Sequence, residues 1–229
     1  MAQFSNLARY LSDSFRVLVP HMPGYGRTPR LGGASDALAL GCRRLSDDLQ
    51  ELGVDDCAIV GISGGAYRGL WLALEGRMRV RTLISLAGFA DLPLEQRAGL
   101  RALAAALRCG VDVSEPATNA MLSPTFAATA EGRAWVTSWL AAIAPEALAE
   151  DLEACAACAD LRPLLCALPT RVVARAGGAD AAMPLARSEE LIAAVPHGKF
   201  ECIPGLGHSQ LYEDEAGTIA FIERALKPG

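Results

Sequence analysis

The stretch that decides the fold is Cys57–Trp71, CAIVGISGGAYRGLW. A short apolar run, Ala58-Ile59-Val60, leads into Gly61-Ile62-Ser63-Gly64-Gly65, and an apolar segment with helical character follows. Strand, sharp turn and helix in that order give G-x-S-x-G a mechanical meaning. The turn is expected to hold Ser63 in a strained conformation at the carboxyl end of the strand. Glycines flank it because a Cβ on either side is expected to collide with a neighbouring element. The helix that starts after Ser63 points free N–H groups and its positive dipole end at a reacting oxygen. An ordinary Gly/Ser loop is the plainer reading of so short a pattern. The flanking elements and the partners found downstream weigh against it.

Working outward, Phe4, Leu7, Ala8 and Leu11 recur at helical spacing, so residues from about Gln3 to Ser12 are expected to form a short helix. Phe15–Pro20 (FRVLVP) reads as a buried strand, followed by the turn-rich loop His21–Thr28. Leu38, Cys42, Leu45, Leu49 and Leu52 share one face of an amphipathic helix that Gly53 can end. Val80–Ala87 is a further buried strand. From Pro93 to Leu168 the chain turns Ala- and Leu-rich without strand pattern, which predicts helices near 94–107, 133–143 and 146–159. Strand Arg171–Arg175, helix Leu185–Val195, strand Lys199–Ile203 and helix Glu215–Leu226 then resume the alternation. Alternating strands and helices predict an α/β fold with a mostly parallel sheet flanked by helices. Residues 1–92 and 169–229 would form the core, and 93–168 an inserted helical lid.

The 229 residues suit one domain, and an apolar fraction of 52% excludes disorder. A net charge of −5, with scattered basic residues, argues against nucleic acid or an anionic membrane as partner. MAQFSNLARYLSDSF lacks the basic and apolar regions of a signal peptide, and no apolar run is long enough to span a bilayer. Seven dispersed cysteines, an odd number, fit a reducing compartment, so the expected location is cytoplasmic. Cys155 and Cys158 form a CxxC in helical, Ala-rich surroundings with no histidine nearby. They read as small packed residues rather than as a metal or redox site. No metal or organic cofactor is expected, and the oligomeric state is not legible.

A serine nucleophile needs a base and a group to orient that base. Of three histidines, His208 (PGLGHSQ) follows the last strand and so lies at the carboxyl edge of the sheet, where sites in such folds gather. His21 also follows a strand, whereas His197 precedes one and falls at the opposite edge. Asp180 (GGADAAMP) follows strand Arg171–Arg175 and is the favoured acid. A backbone-bonded turn aspartate is its plain reading. Asp91, just past Val80–Ala87, is the competing acid.

Four segments together resemble the α/β-hydrolase superfamily: GISGG around Ser63, HMPGYGRT in the place of that family's D-x-P-G-x-G-x-S loop, GGADAAMP and PGLGHSQ. The chain order Ser, Asp, His is also that family's. The stretch 144–169 looks like the lid end of enol-lactonase-like and related esterase members, and a serine at the elbow departs from the dehalogenase and epoxide-hydrolase branches. His21 stands where the family usually has Asp. The resemblance also implies strands ahead of Phe15–Pro20 and a His-Gly loop giving a second oxyanion N–H. Here the sequence starts past that loop, whether as a truncated start or a genuine short form. The sheet would then either pair Phe15–Pro20 directly with Cys57–Ile62 or hold it poorly. The expected activity is hydrolysis of a small carboxylic ester or lactone by Ser63, His208 and Asp180, with Gly64 N–H on the oxyanion. Arg68 is expected on the helix surface, with an acidic substrate as its alternative partner. The competing class is a non-catalytic ligand-binding or interaction protein on the same fold.

Overall fold

A computed structural model describes residues 2–32 and 36–227; residues 1, 33–35, 228 and 229 of the expected core lie outside the described ones. Four strands form one parallel sheet in the order β1 (Asp56–Ile62), β2 (Arg79–Leu86), β3 (Arg171–Gly177), β4 (Gly198–Ile203). The alternation of side chains along each strand divides the core. Leu83 and Val172 face a cluster built from α2 (Ala37–Glu51), α3 (Gly64–Glu75) and α10 (Leu185–Ala194). Ile84, Leu86 and Val173 face the opposite cluster, with Leu7 of α1 (Ala2–Leu11) and Phe221, Ile222 and Ala225 of α12 (Glu215–Leu226). A sheet covered on both faces explains why the strands read as near-continuous apolar runs.

Between β2 and β3 the described chain is helical: α4 (Leu94–Arg108), α5 (Ser114–Met121), α6 (Pro124–Ala127), α7 (Ala130–Ala141), α8 (Pro145–Ala156) and α9 (Arg162–Leu165). Part of it has a small core of its own, with Leu122 and Val136 buried beside Trp135, Trp139 and Tyr212. Prolines in this region mostly stand at helix starts. Pro124 and Pro145 sit in first turns, where an N–H has no partner to lose.

One expected element is absent. Phe15–Pro20 is not a strand: residues 16–20 make no backbone–backbone hydrogen bond among the described residues, and Phe15, Leu18 and Val19 are 48%, 39% and 40% exposed. Its β-branched and aromatic pattern is strand-like, but a strand exists only when a neighbour takes its backbone groups. Among the described residues β1 pairs β2 on one side and no other strand on the other. Of the two outcomes anticipated for this segment, direct pairing with β1 does not occur.

Candidate active site

The site grows from the flush carboxyl ends of the strands. Past the last ladder pairs, Ser63 N–H donates to Leu86 O (2.9 Å), Ala87 N–H to Arg175 O (2.8 Å) and Gly178 N–H to Ile203 O (2.9 Å). The segments leaving β1, β3 and β4, which carry Ser63, Asp180 and His208, therefore emerge at one edge. Neighbouring strands lie about 4.8 Å apart, so Ser63 and Asp180 start roughly 10 Å from each other, a gap that a histidine side chain can bridge.

Ser63 has φ 52° and ψ −120° and caps the start of α3. Such a backbone costs a non-glycine residue about 1–3 kcal/mol and persists where surrounding structure enforces it. Among the described residues the only other non-glycine with positive φ is Ala87 (49°), at the same edge on the next strand. Gly61 is needed sterically: a Cβ there would lie 2.5 Å from the Ala66 nitrogen. The expectation for Gly65 does not hold, since a Cβ there would meet nothing within 4 Å. At the start of α3, Ala66 N–H already donates to Ser63 O (2.9 Å), so it is the Gly64 and Gly65 N–H groups that have no carbonyl one turn back to bond, which leaves them available to an anion.

Asp180 and His208 are brought together. His208 Nδ1 lies 2.8 Å from Asp180 Oδ2, and the second carboxylate oxygen accepts from Met183 N–H at 2.7 Å. Both side chains are buried. The two loops are zipped to each other by Ala179 N–H on Leu206 O (3.0 Å). A Cβ at Gly177 would overlap that same Leu206 carbonyl, so only glycine lets the loops approach. Ser63 is half-buried, and its hydroxyl makes no hydrogen bond to His208 among the described residues. Nucleophile–base contacts commonly tighten only with substrate in place.

The competing residues are occupied elsewhere. Asp91 bridges Arg97 (2.7 Å) and Arg162 (2.9 Å), a structural tie between α4 and α9. His197 is exposed ahead of β4. His21 is half-buried within its own loop, its carbonyl accepting from Thr28 Oγ1. Arg68 is not on the surface: it is buried and paired with Asp151 of α8. Cys155 lies in the last turn of α8 and Cys158 just beyond it; both are unpaired thiols, and burial pushes that of Cys155 up to about 12, which keeps it protonated. No group of three potential metal ligands occurs among the described residues.

Sequence reasoning missed the groups that hold the His208 loop. Glu213 accepts from Gly207 N–H (3.3 Å) and from Ser123 N–H (2.9 Å), while Ser209 N–H donates to Met121 O (2.9 Å). Both neighbours of His208 are thus tied, one directly, to the α5–α6 corner. Arg175, buried in β3, donates to Thr218 (2.6 Å) and Asp214 (2.6 Å), and its carbonyl takes the Gln210 amide (3.0 Å). Arg175, a charge in the middle of the apolar strand RVVARAG rather than at its start like Arg171, was the one available signal.

The sequence profile described as the alpha/beta hydrolase family matches residues 1–221. No curated protein matches the chain. Among solved structures, a thermophilic esterase from Thermogutta terrifontis is similar at 24% identity and TM-score 0.85, over 97% of this chain and 84% of that one. A hydrolase from Pseudomonas aeruginosa PA01 is similar at 23% identity and TM-score 0.87, over 99% and 85%. The enol-lactonase from Burkholderia xenovorans LB400 is similar at 17% identity and TM-score 0.84, over 98% and 86%. With a parallel sheet, a strained serine after β1 and the profile spanning nearly its whole length, this chain belongs to the alpha/beta hydrolase family.

Proposed function

We propose that the protein is a serine hydrolase that cleaves a small carboxylic ester or lactone through an acyl-enzyme. The observation that carries this reading is the buried Asp180–His208 bond at the sheet edge where Ser63 stands in its strained turn. His208 Nε2 takes the Ser63 proton as Oγ attacks the carbonyl carbon. Asp180 fixes the ring tautomer and stabilises the imidazolium. Gly64 N–H, at the start of α3, stabilises the oxyanion. Collapse expels the alkoxide, which receives the proton from His208. Water then attacks the acyl-enzyme with His208 as base and frees the carboxylic acid and Ser63. No metal or cofactor enters any step.

Residues 93–168 act as the lid that selects the substrate. Support comes from α8, whose Cys155 Sγ would lie 2.9 Å from a Cβ at Gly64, so that this helix reaches the elbow. The cytoplasm is the proposed location, because all seven cysteines are free thiols; in addition, no helix among the described residues is long and apolar enough to cross a membrane. The competing reading, a non-catalytic ligand-binding protein, draws on the single identified oxyanion donor. A fluorophosphonate probe separates the two. Covalent labelling of Ser63, lost in Ser63→Ala, supports the hydrolase; an unlabelled folded protein overturns it.

A further inference from the structure

The inserted helices divide into two parts by what holds them. α4 and α8 pack on each other, and α8 is tied to the core by polar contacts: Arg68 meets Asp151, the Tyr25 hydroxyl donates to the same carboxylate at 3.2 Å, and Arg30 holds Glu150 at 2.6 Å. The unit α5–α7, residues 114–141, is held differently. Apart from local turns at its two ends, every hydrogen bond that leaves it among the described residues runs to residues 209–213. Ser209 N–H donates to Met121 O (2.9 Å), and Glu213 accepts from Ser123 N–H (2.9 Å). Its apolar cluster, with Leu122 and Val136 buried at the centre, takes in one side chain from elsewhere, Tyr212. Neither cluster that flanks the sheet contains any of its residues.

Tyr212 makes this junction with its ring. The ring stacks on Trp135 of α7, centroids 4.3 Å apart and planes 15° from parallel, and meets Phe126 of α6 edge-on at 6.0 Å. Its hydroxyl is buried without a partner, so the ring rather than the oxygen makes the contact. Tyr212 belongs to a single turn of helix, α11 (Gln210–Glu213), that begins two residues after His208. The turn is wound onto the base: Gln210 N–H donates to His208 O (3.0 Å), and Tyr212 N–H to Ser209 O (2.8 Å). Its successive residues reach different bodies. The Gln210 amide donates to Arg175 O of β3 (3.0 Å), Leu211 enters the cluster that includes α12, and Tyr212 enters the α5–α7 unit. On the other side of His208, a Cβ at Gly207 would overlap the Ser123 nitrogen. The base therefore sits in a bridge between the sheet and this part of the lid.

We propose that Tyr212 is a positioning residue for the base: seating α5–α7 on its ring aligns His208, so that turnover requires this part of the lid to be docked. This rests on the Ser63 reading given above. A displacement of the unit passes through one helical turn to His208, and misplacing a reacting group by about 1 Å costs up to about 10²-fold in rate. The α4–α8 pair can stay fixed meanwhile, because the ties of α8 run to other residues.

The test breaks the stack from each side. Tyr212→Leu and Trp135→Leu fill the space without stacking, whereas Tyr212→Phe keeps the ring. On an aryl ester, each leucine variant should lose about 10- to 100-fold in kcat with KM within about threefold of wild type, and the double variant should be no worse than the poorer single, because both break one contact. Tyr212→Phe should turn over within about twofold of wild type and melt no lower, having shed an unpaired hydroxyl. Leucine variants that fold, by thermal melt, and keep the wild-type kcat overturn the proposal, as does a Tyr212→Phe enzyme as slow as Tyr212→Leu. Should Tyr212→Leu fail to fold, Trp135→Leu, which alters only α7, carries the test. The proton of the His208–Asp180 bond, a downfield line in the NMR spectrum, reads the base without turnover. It should shift or broaden in both leucine variants and stay in place in Tyr212→Phe. A wild type that cleaves no ester while the line responds in this way removes the hydrolase reading and keeps the coupling. A wild type that cleaves the ester while the leucine variants keep both rate and line keeps the hydrolase and removes the coupling.

Discussion

Replacing Asp180 by Asn changes one atom and should nearly abolish turnover, for a reason that can be followed bond by bond. Asp180 Oδ1 accepts from Met183 N–H at 2.7 Å, and Oδ2 faces His208 Nδ1 at 2.8 Å. In the Asn variant the side-chain oxygen must stay on the Met183 donor, since turning the amide would set two donors against each other in a buried site. The NH2 group is then left facing His208 Nδ1. It can only donate there, so Nδ1 must accept and the ring proton moves to Nε2. A proton on Nε2 disables the nitrogen that has to take the Ser63 proton. Triads with this defect lose on the order of 10⁴ in kcat, which is about 5.5 kcal/mol of barrier. The fold should persist, because both buried hydrogen bonds are remade. The assay is hydrolysis of an aryl ester by purified wild type, Asp180→Asn and Asp91→Asn, with thermal melts of all three. Asp91→Asn weakens the ties to Arg97 and Arg162 and should cost stability rather than turnover. An Asp180→Asn enzyme within tenfold of wild type, or an Asp91→Asn enzyme that is folded but inactive, would refute the reasoning.

Ser63→Ala and His208→Ala should each remove nearly all esterase activity, by roughly 10⁴-fold or more, and the double variant should be little worse, because the set acts as a unit; additive losses in kcat would contradict that. Gly177→Ala drives a Cβ into the Leu206 carbonyl and should part the Asp180 and His208 loops. A loss of about 1–3 kcal/mol in denaturant unfolding is expected, with a larger proportional loss of turnover; unchanged stability would show that the loops yield. Glu213→Gln keeps one acceptor for the Ser123 and Gly207 amides where two now serve, and should lower kcat more than it raises KM for an aryl ester; an unaltered kcat would remove Glu213 as a positioning group. Amide exchange should be fast at residues 16–19 and slow in β2 and β3, since the first segment has no ladder to protect it; equal protection would mean that it pairs in solution.

Local chemistry was readable from the chain. The apolar run, the glycines and the apolar segment after Ser63 allow one compact arrangement, strand then turn then helix, and it is the observed one from Asp56 to Glu75. Alternation of buried strands with amphipathic helices implied a parallel sheet, and a parallel sheet sends residues that follow its strands to one edge. That is why Ser63, Asp180 and His208 could be placed at one edge from sequence position alone, where the structure joins Asp180 to His208. Contacts between distant segments were not readable. FRVLVP has the composition of a strand, but whether it becomes one depends on a partner's backbone, and at Phe15–Pro20 none is present. Asp91 and Asp180 looked alike, because each follows a strand at the correct edge; three-dimensional placement gave Asp91 to two arginines and Asp180 to His208. Arg68 looked like a surface residue of α3 because nothing in its own helix foretells that Asp151, 83 residues away, arrives to neutralise it. Short-range pattern specifies backbone conformation through steric and apolar periodicity, whereas the pairing of buried charges and strand edges is a property of the assembled chain.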